Sequence, residues 1–169
     1  MNHNNQKSNQ EGYTLTDFMP LIFIFTVIIG ITVIHQLYYG WDVTNAMRIF
    51  MAAFFLVFGG FKVINIAGFA KAYAEYDLIA AHMPQYGYIY PFLEVGLGFA
   101  YLTGWQPIII NSFALILMLV SAAGVFNELR KGKQIICACL GVVFKIPMTY
   151  VTLFEDLLMA GMAFFMLLT

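Results

Sequence analysis

Two cysteines, Cys137 and Cys139, are the chain's only thiols, and they lie one residue apart in the apolar stretch IICACLGVVF at 135–144. A thiolate pair supports two kinds of chemistry: reversible oxidation to a disulfide, or capture of a soft metal ion. Both require the sulfurs to meet. In a regular α-helix, residues i and i+2 point about 200° apart and cannot do so. In an extended or turned segment they project to the same side. Their Cα atoms then fall near the upper end of the window for a disulfide, about 4.4–6.8 Å. Such a bond is strained and easily reduced, which suits a cycling pair better than a staple. Gly141 favours a break in the helix, because it accepts backbone angles that other residues avoid. Lys133 and Lys145 would raise the thiolate fraction. Val142 and Val143 favour a helix instead, and free cysteine is also common as a small core hydrophobe. Spacing alone leaves both readings open.

Four ionisable residues sit where lipid would reject them: Lys62, Glu94, Glu155 and Asp156, each inside an apolar run. Such groups usually face the bundle interior or a wet cavity, because exposure to lipid costs several kcal/mol. They either tie helices together or move protons. Lys62 and Glu155 read as a structural charge pair. Glu94 and Asp156 read as catalytic companions of the thiols, taking and giving protons.

The elements that must position these residues are membrane helices. The chain has 169 residues, of which 62% are hydrophobic and only 10% charged, with mean hydropathy +0.81. A soluble domain of this length cannot hide so much apolar surface, so the expected partner is the lipid bilayer. A net charge of −1 excludes nucleic acid, which needs a clustered basic face. Residues 1–17 are polar, lack the basic start of a secretory signal and are expected to form a disordered tail. A single transmembrane helical-bundle domain is expected over 18–169.

Its spans are expected at 18–34, 46–70, 88–103, 107–126 and 148–169, near the ~20 residues that cross the hydrocarbon core. The predicted fold is therefore an all-α membrane protein, a polytopic bundle of about five transmembrane helices. Lys71 and Glu75, spaced i,i+4, suggest a helical extension of the second span, and Pro84 and Gly87 suggest the turn after it. Gly104 and Pro107 close one helix and open the next. Gly59, Gly60, Gly96, Gly98 and Gly161 read as small residues at close helix contacts.

With the N-terminus in the cytoplasm, Lys7, Lys71, Arg130, Lys131, Lys133 and Lys145 all fall inside, and Arg48 lies near the outer edge. The expected location is the bacterial inner membrane, with both cysteines near its cytoplasmic face. Counted from the cytoplasmic ends of these spans, Lys62 and the Glu155/Asp156 pair come out roughly 12–16 Å deep and Glu94 about 9 Å. An ion pair of Lys62 with Glu155 or Asp156 follows, with Glu94 left at the level of the cysteines.

FFLVFGGFKVIN, then YPFLEVGLGFAYL, then CACLG before a last span is an order that resembles the MauE/DoxX-like integral membrane family. The likeness covers roughly 47–168. The family's Gly-x-Lys feature falls on Gly60 and Lys62, its Pro-x-x-Glu on Pro91 and Glu94, and its Cys-x-Cys-x-Gly on Cys137, Cys139 and Gly141. The resemblance implies a four-helix core, here with an added N-terminal helix, and thiol–disulfide chemistry. It also implies a role in maturing disulfide-containing proteins, among them the small subunit of methylamine dehydrogenase. Some relatives carry thioredoxin-like or heavy-metal-binding modules. None is found in this sequence, so a separate thioredoxin-like or other redox partner is expected. Two alternatives stand beside this reading. One is binding or transport of a soft heavy metal, copper or mercury, by Cys137 and Cys139. The other is a non-catalytic membrane assembly factor whose cysteines are passive.

Overall fold

A computed structural model describes residues 19–131, 136–137, 146–147 and 150–169. The tail expected over 1–17 lies outside them, as do Cys139 and Gly141. Among the described residues there are six helices: α1 (Met19–Tyr39), α2 (Val43–Ile64), α3 (Ile66–Tyr73), α4 (Pro84–Thr103), α5 (Pro107–Arg130) and α6 (Tyr150–Leu168). Between α5 and α6, β1 (Ile136–Cys137) and β2 (Ile146–Pro147) form a two-residue antiparallel ladder in which Cys137 stands opposite Ile146.

Helices α1, α2, α5 and α6 are long and apolar enough to cross a membrane. The chain is a multi-pass membrane protein. Helix α4 is more polar, but it has 20 residues, about 30 Å of helix, which matches the hydrocarbon core. Its second half runs antiparallel beside α2, while its first turns pack on α3. In the second turn of α2, Arg48 donates to the carbonyls of Tyr101 and Leu102 at 2.8 and 3.0 Å. In the last turn of α2, Lys62 pairs with Glu94. Where α2 crosses, α4 crosses too, and the count of about five spans holds.

The breaks between helices have local causes. Asp42 caps α2, its carboxylate accepting from the amides of Thr44 and Asn45 at 3.3 and 3.1 Å. Gln36 reaches from α1 to the Asp42 carbonyl at 2.9 Å, which joins the two helices at that end. At Asn65 the backbone leaves the helical region, and the Asn65 side chain accepts from the Gly68 amide at 3.1 Å to start α3. An Asn that caps a new helix ends the old one. Gly104, with φ +67°, closes α4 in the left-handed conformation, and Pro107 opens α5.

Several expected boundaries shift. The second span ends at Ile64 rather than at 70, and α3 stops at Tyr73, so Lys71 and Glu75 do not share a helix. Beyond it the buried Asp77 carboxylate accepts from the amides of Ile79 and Ala80 at 2.9 and 2.8 Å, which favours turns over continued helix. Pro84, expected as a turn, is instead the first residue of α4, and Gly87 lies within that helix. The NELR segment extends α5 to Arg130, and Pro147 lies in the ladder.

Helix α2 packs closely on α4, and α5 on α6, with the two pairs meeting around a core that includes Phe55, Phe58, Met118 and Met159. Small residues set the approach. A Cβ on Gly98 would lie 2.7 Å from Leu56 Cγ and 2.9 Å from its backbone nitrogen, and one on Gly59 would lie 2.9 Å from Val95 Cγ2. Gly60, Gly96 and Gly161, also expected at contacts, have open space beside them, whereas Gly87 against Ala70 and Gly124 against Tyr76 are tight. Helix α1 packs on α2 through Phe25, whose ring lies 6.4, 6.1 and 5.8 Å from those of Phe50, Phe54 and Phe58. Its outer face, including Phe23, Ile29 and Ile34, is exposed and suits lipid.

These contacts separate two similar substitutions. Gly98→Ala forces the α2 backbone away from α4 and is expected to cost about 1–3 kcal/mol. Gly60→Ala meets nothing and is expected to gain about 0.5–1 kcal/mol from helix propensity. Thermal unfolding in detergent, followed by circular dichroism, should lower the midpoint for the first and hold or raise it for the second. Equal midpoints would contradict the packing described.

Candidate functional site

Four helices bring the polar residues of the core together. Lys62 is in the last turn of α2, Glu94 is midway along α4, Ser121 is on α5, and Thr152, Glu155 and Asp156 occupy the first turns of α6. Lys62 donates to Glu94 Oε1 in a buried ion pair, with the two residues only 7% and 1% exposed. The ammonium also lies 5.0 Å from the ring centre of Tyr90 and 5.5 Å from that of Phe69, within range of cation–π attraction. Burial at this level is costly for either charge alone.

Successive residues on a helix diverge by about 100°, so Glu155 and Asp156 serve different neighbours. Asp156 turns to α5, where the Ser121 hydroxyl donates to its Oδ2 at 2.8 Å. Glu155 is 4% exposed, and among the described residues its Oε1 has no hydrogen-bond partner, nor has Glu94 Oε2. Lys62, Tyr90, Glu94, Ser121, Glu155 and Asp156 line one cavity of about 30 Å³, large enough for a water molecule. One cation faces three carboxyls there. The arrangement can hold, pass on and receive protons within the bundle.

The expected pairing of Lys62 with Glu155 is corrected: the partner of Lys62 is Glu94. Two helix ends explain the change. Helix α2 stops at Ile64, so Lys62 lies closer to that face than a span reaching 70 implied. Helix α4 starts at Pro84, so Glu94 lies about a turn deeper than a span starting at 88 implied. The two residues therefore share one level. Ser121 and Tyr90 were not anticipated. A serine in an apolar run reads as a small packing residue, and the only signal for Tyr90 is its place next to Pro91 and one turn before Glu94.

A second polar centre lies at the other end of the bundle. Arg48 holds the carbonyls of Tyr101 and Leu102 and the Asn45 side chain, and the Tyr101 hydroxyl donates to Asn111 Oδ1 at 2.8 Å. A cation on the last carbonyls of a helix is a C-terminal cap, so this centre fastens α4 to α2. Of the cysteine segment, the backbone of Cys137 is extended and paired with Ile146, whereas Cys139 lies outside the described residues. Among the described residues there is no group of three or more His, Cys, Asp or Glu that could hold a metal ion.

Residues 41–169 match the family described as methylamine utilisation protein MauE. The chain belongs to the MauE family. No curated protein and no solved structure matches it. The matched region starts after α1, so the MauE core is α2–α6 and holds every residue of the polar cavity. Helix α1 lies outside the matched residues, on the flank of α2.

The ion pair should behave as a unit. Lys62→Met leaves Glu94 buried without its cation and is expected to cost about 3–5 kcal/mol of stability. The double variant Lys62→Met/Glu94→Leu is expected to lose less than this single variant, because apolar replacement of both partners is close to neutral. Unfolding of the wild type, of Lys62→Met, of Glu94→Leu and of the double variant in one detergent measures the coupling. Simple additivity would show that the two side chains do not depend on each other.

Proposed function

We propose that this MauE-family chain is a membrane thiol–disulfide redox protein in which Cys137 and Cys139 cycle between dithiol and disulfide. The observation that carries the reading is the extended backbone at Cys137, paired with Ile146 across the ladder. A helix through both cysteines would turn their side chains apart, and extended backbone at Cys137 is incompatible with that helix. Membership of the MauE family supports a setting in methylamine utilisation, and on this reading the task there is maturation of disulfide-containing proteins such as the small subunit of methylamine dehydrogenase.

The chemistry uses both parts of the site. In the exchange step, a substrate thiolate attacks one sulfur of the Cys137–Cys139 disulfide and forms a mixed disulfide. A second substrate thiolate then displaces that sulfur, leaving an oxidised substrate and a reduced cysteine pair. A two-electron acceptor, either the disulfide of a thioredoxin-like partner or another oxidant, returns the pair to the disulfide. The thiolate is the attacking species at each step, so every turn needs protons removed and returned. Glu94 and Asp156 perform that transfer through the polar cavity. The route is short: Asp156 lies six residues into α6, about 9 Å along its axis, and Pro147 of the ladder is three residues before its first residue.

Trapping the thiols in cells with an alkylating mass tag, with and without oxidant, tests this cycle. The expected result is one population that shifts by two tags on reduction and loses both on oxidation. Thiols that stay fully reduced throughout would remove the redox cycle. Metal bound to the purified chain and lost in Cys137→Ser/Cys139→Ser would favour the soft-metal reading. Full maturation by that double variant would favour a passive assembly factor.

Orientation is part of the proposal. Lys71, Arg130 and Lys131 gather at the face where α2 ends and α4 begins, against Arg48 at the other. This asymmetry supports a reading in which the N-terminus and the cysteine segment are on the cytoplasmic side of the inner membrane. In a background lacking Cys137 and Cys139, an impermeant maleimide should label Thr103→Cys in intact cells. It should reach Glu75→Cys only after permeabilisation. The opposite pattern would invert the topology.

A further inference from the structure

Outside the polar cavity, the first half of α1 and the first turns of α6 enclose a second space, an apolar groove of about 380 Å³. That volume lies in the range of small-molecule sites. Leu21, Phe25 and Ile29 line it from α1, and Phe154 and Leu158 from α6. Because both helices are among the apolar spans, the groove opens to lipid. Two polar side chains border it. Thr26 donates its hydroxyl to the Ile22 carbonyl at 2.8 Å. The other is Glu155, which also lines the polar cavity and whose Oε1 has no hydrogen-bond partner among the described residues. Glu155 is thus the wall between a lipid-facing space and a proton-holding one.

We propose that this groove binds the ring of a quinone dissolved in the bilayer, with Glu155 donating a proton and a hydrogen bond to a ring carbonyl. The apolar walls fit the ring and its isoprenoid tail, the opening faces the phase in which quinones dissolve, and the carboxyl supplies the one polar contact. The redox role of the site rests on the thiol–disulfide reading above. Formation of the Cys137–Cys139 bond breaks two S–H bonds and releases two electrons and two protons. The quinone takes both, forming two O–H bonds and leaving as quinol. The polar cavity passes those protons to Glu155. Helix α1 precedes the region matched to the MauE family, whereas the α6 wall of the groove lies within it.

The test is photolabelling of the purified full chain in phosphatidylcholine nanodiscs with a short-tailed azidoquinone. Label is expected on peptides from α1 and α6, with decylubiquinone competing and excess diacylglycerol not. Leu158→Trp fills the groove and should cut labelling about tenfold. Glu155→Leu keeps the walls and removes the polar contact, for a loss of about three- to tenfold. Label spread over all exposed helix faces, unchanged in both variants, or displaced equally by diacylglycerol would overturn the site and leave an ordinary lipid crevice. Cys137→Ser/Cys139→Ser should label as the wild type does. If thiols in cells never oxidise while labelling persists, the redox reading fails and the binding site stands.

Discussion

The bundle is organised around a charge pair that lipid would not tolerate apart. An ammonium or carboxylate at membrane depth costs about 2.5–3.5 kcal/mol on insertion scales, so Lys62 and Glu94 must be inserted together, and the backbone must let them meet. Gly59 provides the approach: a Cβ there would lie 3.1 Å from Glu94 Cβ, one turn of α2 before Lys62. Gly98 keeps the same two helices close at the next level, and Gly87 lets α4 approach Ala70 of α3. The pair thereby sets the register of α4 on α2. It also holds the rings of Phe69 and Tyr90 beneath the ammonium, where they replace part of its lost hydration.

The rest of the polar cluster follows from what that pair leaves undone. One cation offsets one carboxylate, and α6 brings two more acids to the same cavity. Asp156 is held by Ser121 across the α5–α6 contact, and Glu155 stands between the two helix pairs. A buried acid without a counter-charge is satisfied by hydrogen bonds or by a proton. The cavity is therefore suited to exchanging protons, and a thiol pair that must gain and lose them is served by a site of this kind. Arg48 at the opposite end shows the contrast: its donors go to carbonyls and an amide side chain, and it fastens a helix end without a cavity of unpaired acids.

Much of the fold was legible in the sequence because lipid imposes a coarse rule: apolar runs of sufficient length, with charges and turn residues between them. Gly104 and Pro107 act where their backbone preferences require. Depth was harder to read, because it is counted from helix ends. Asn65 looked like one polar residue in an apolar run, yet its side chain caps α3 and stops α2 six residues short of 70. Pro84 looked like a turn and begins a helix. Each shift is four to six residues, about 6–9 Å of rise, and together they exchange Glu155 for Glu94 as the partner of Lys62. The glycines show a similar limit. Gly59 and Gly60 are equivalent in composition, and only the direction each faces on α2 makes the first essential to packing and the second spare.

Helix α1 and the buried acid are best understood together. Glu155 lies at the edge of the MauE core, and the groove on its outer side is walled by α1. Were the bundle to begin at residue 41, that side of α6 would lose its cover, and a carboxyl now 4% exposed would border the bilayer directly. Lipid penalises such exposure, so α1 changes the electrostatic setting of the core without contributing a charge of its own. It does so incompletely, because its close contacts run through Phe25 to α2 while the α6 side stays open. A helix that shields an acid yet leaves an apolar path to it converts a structural liability into controlled access from the membrane.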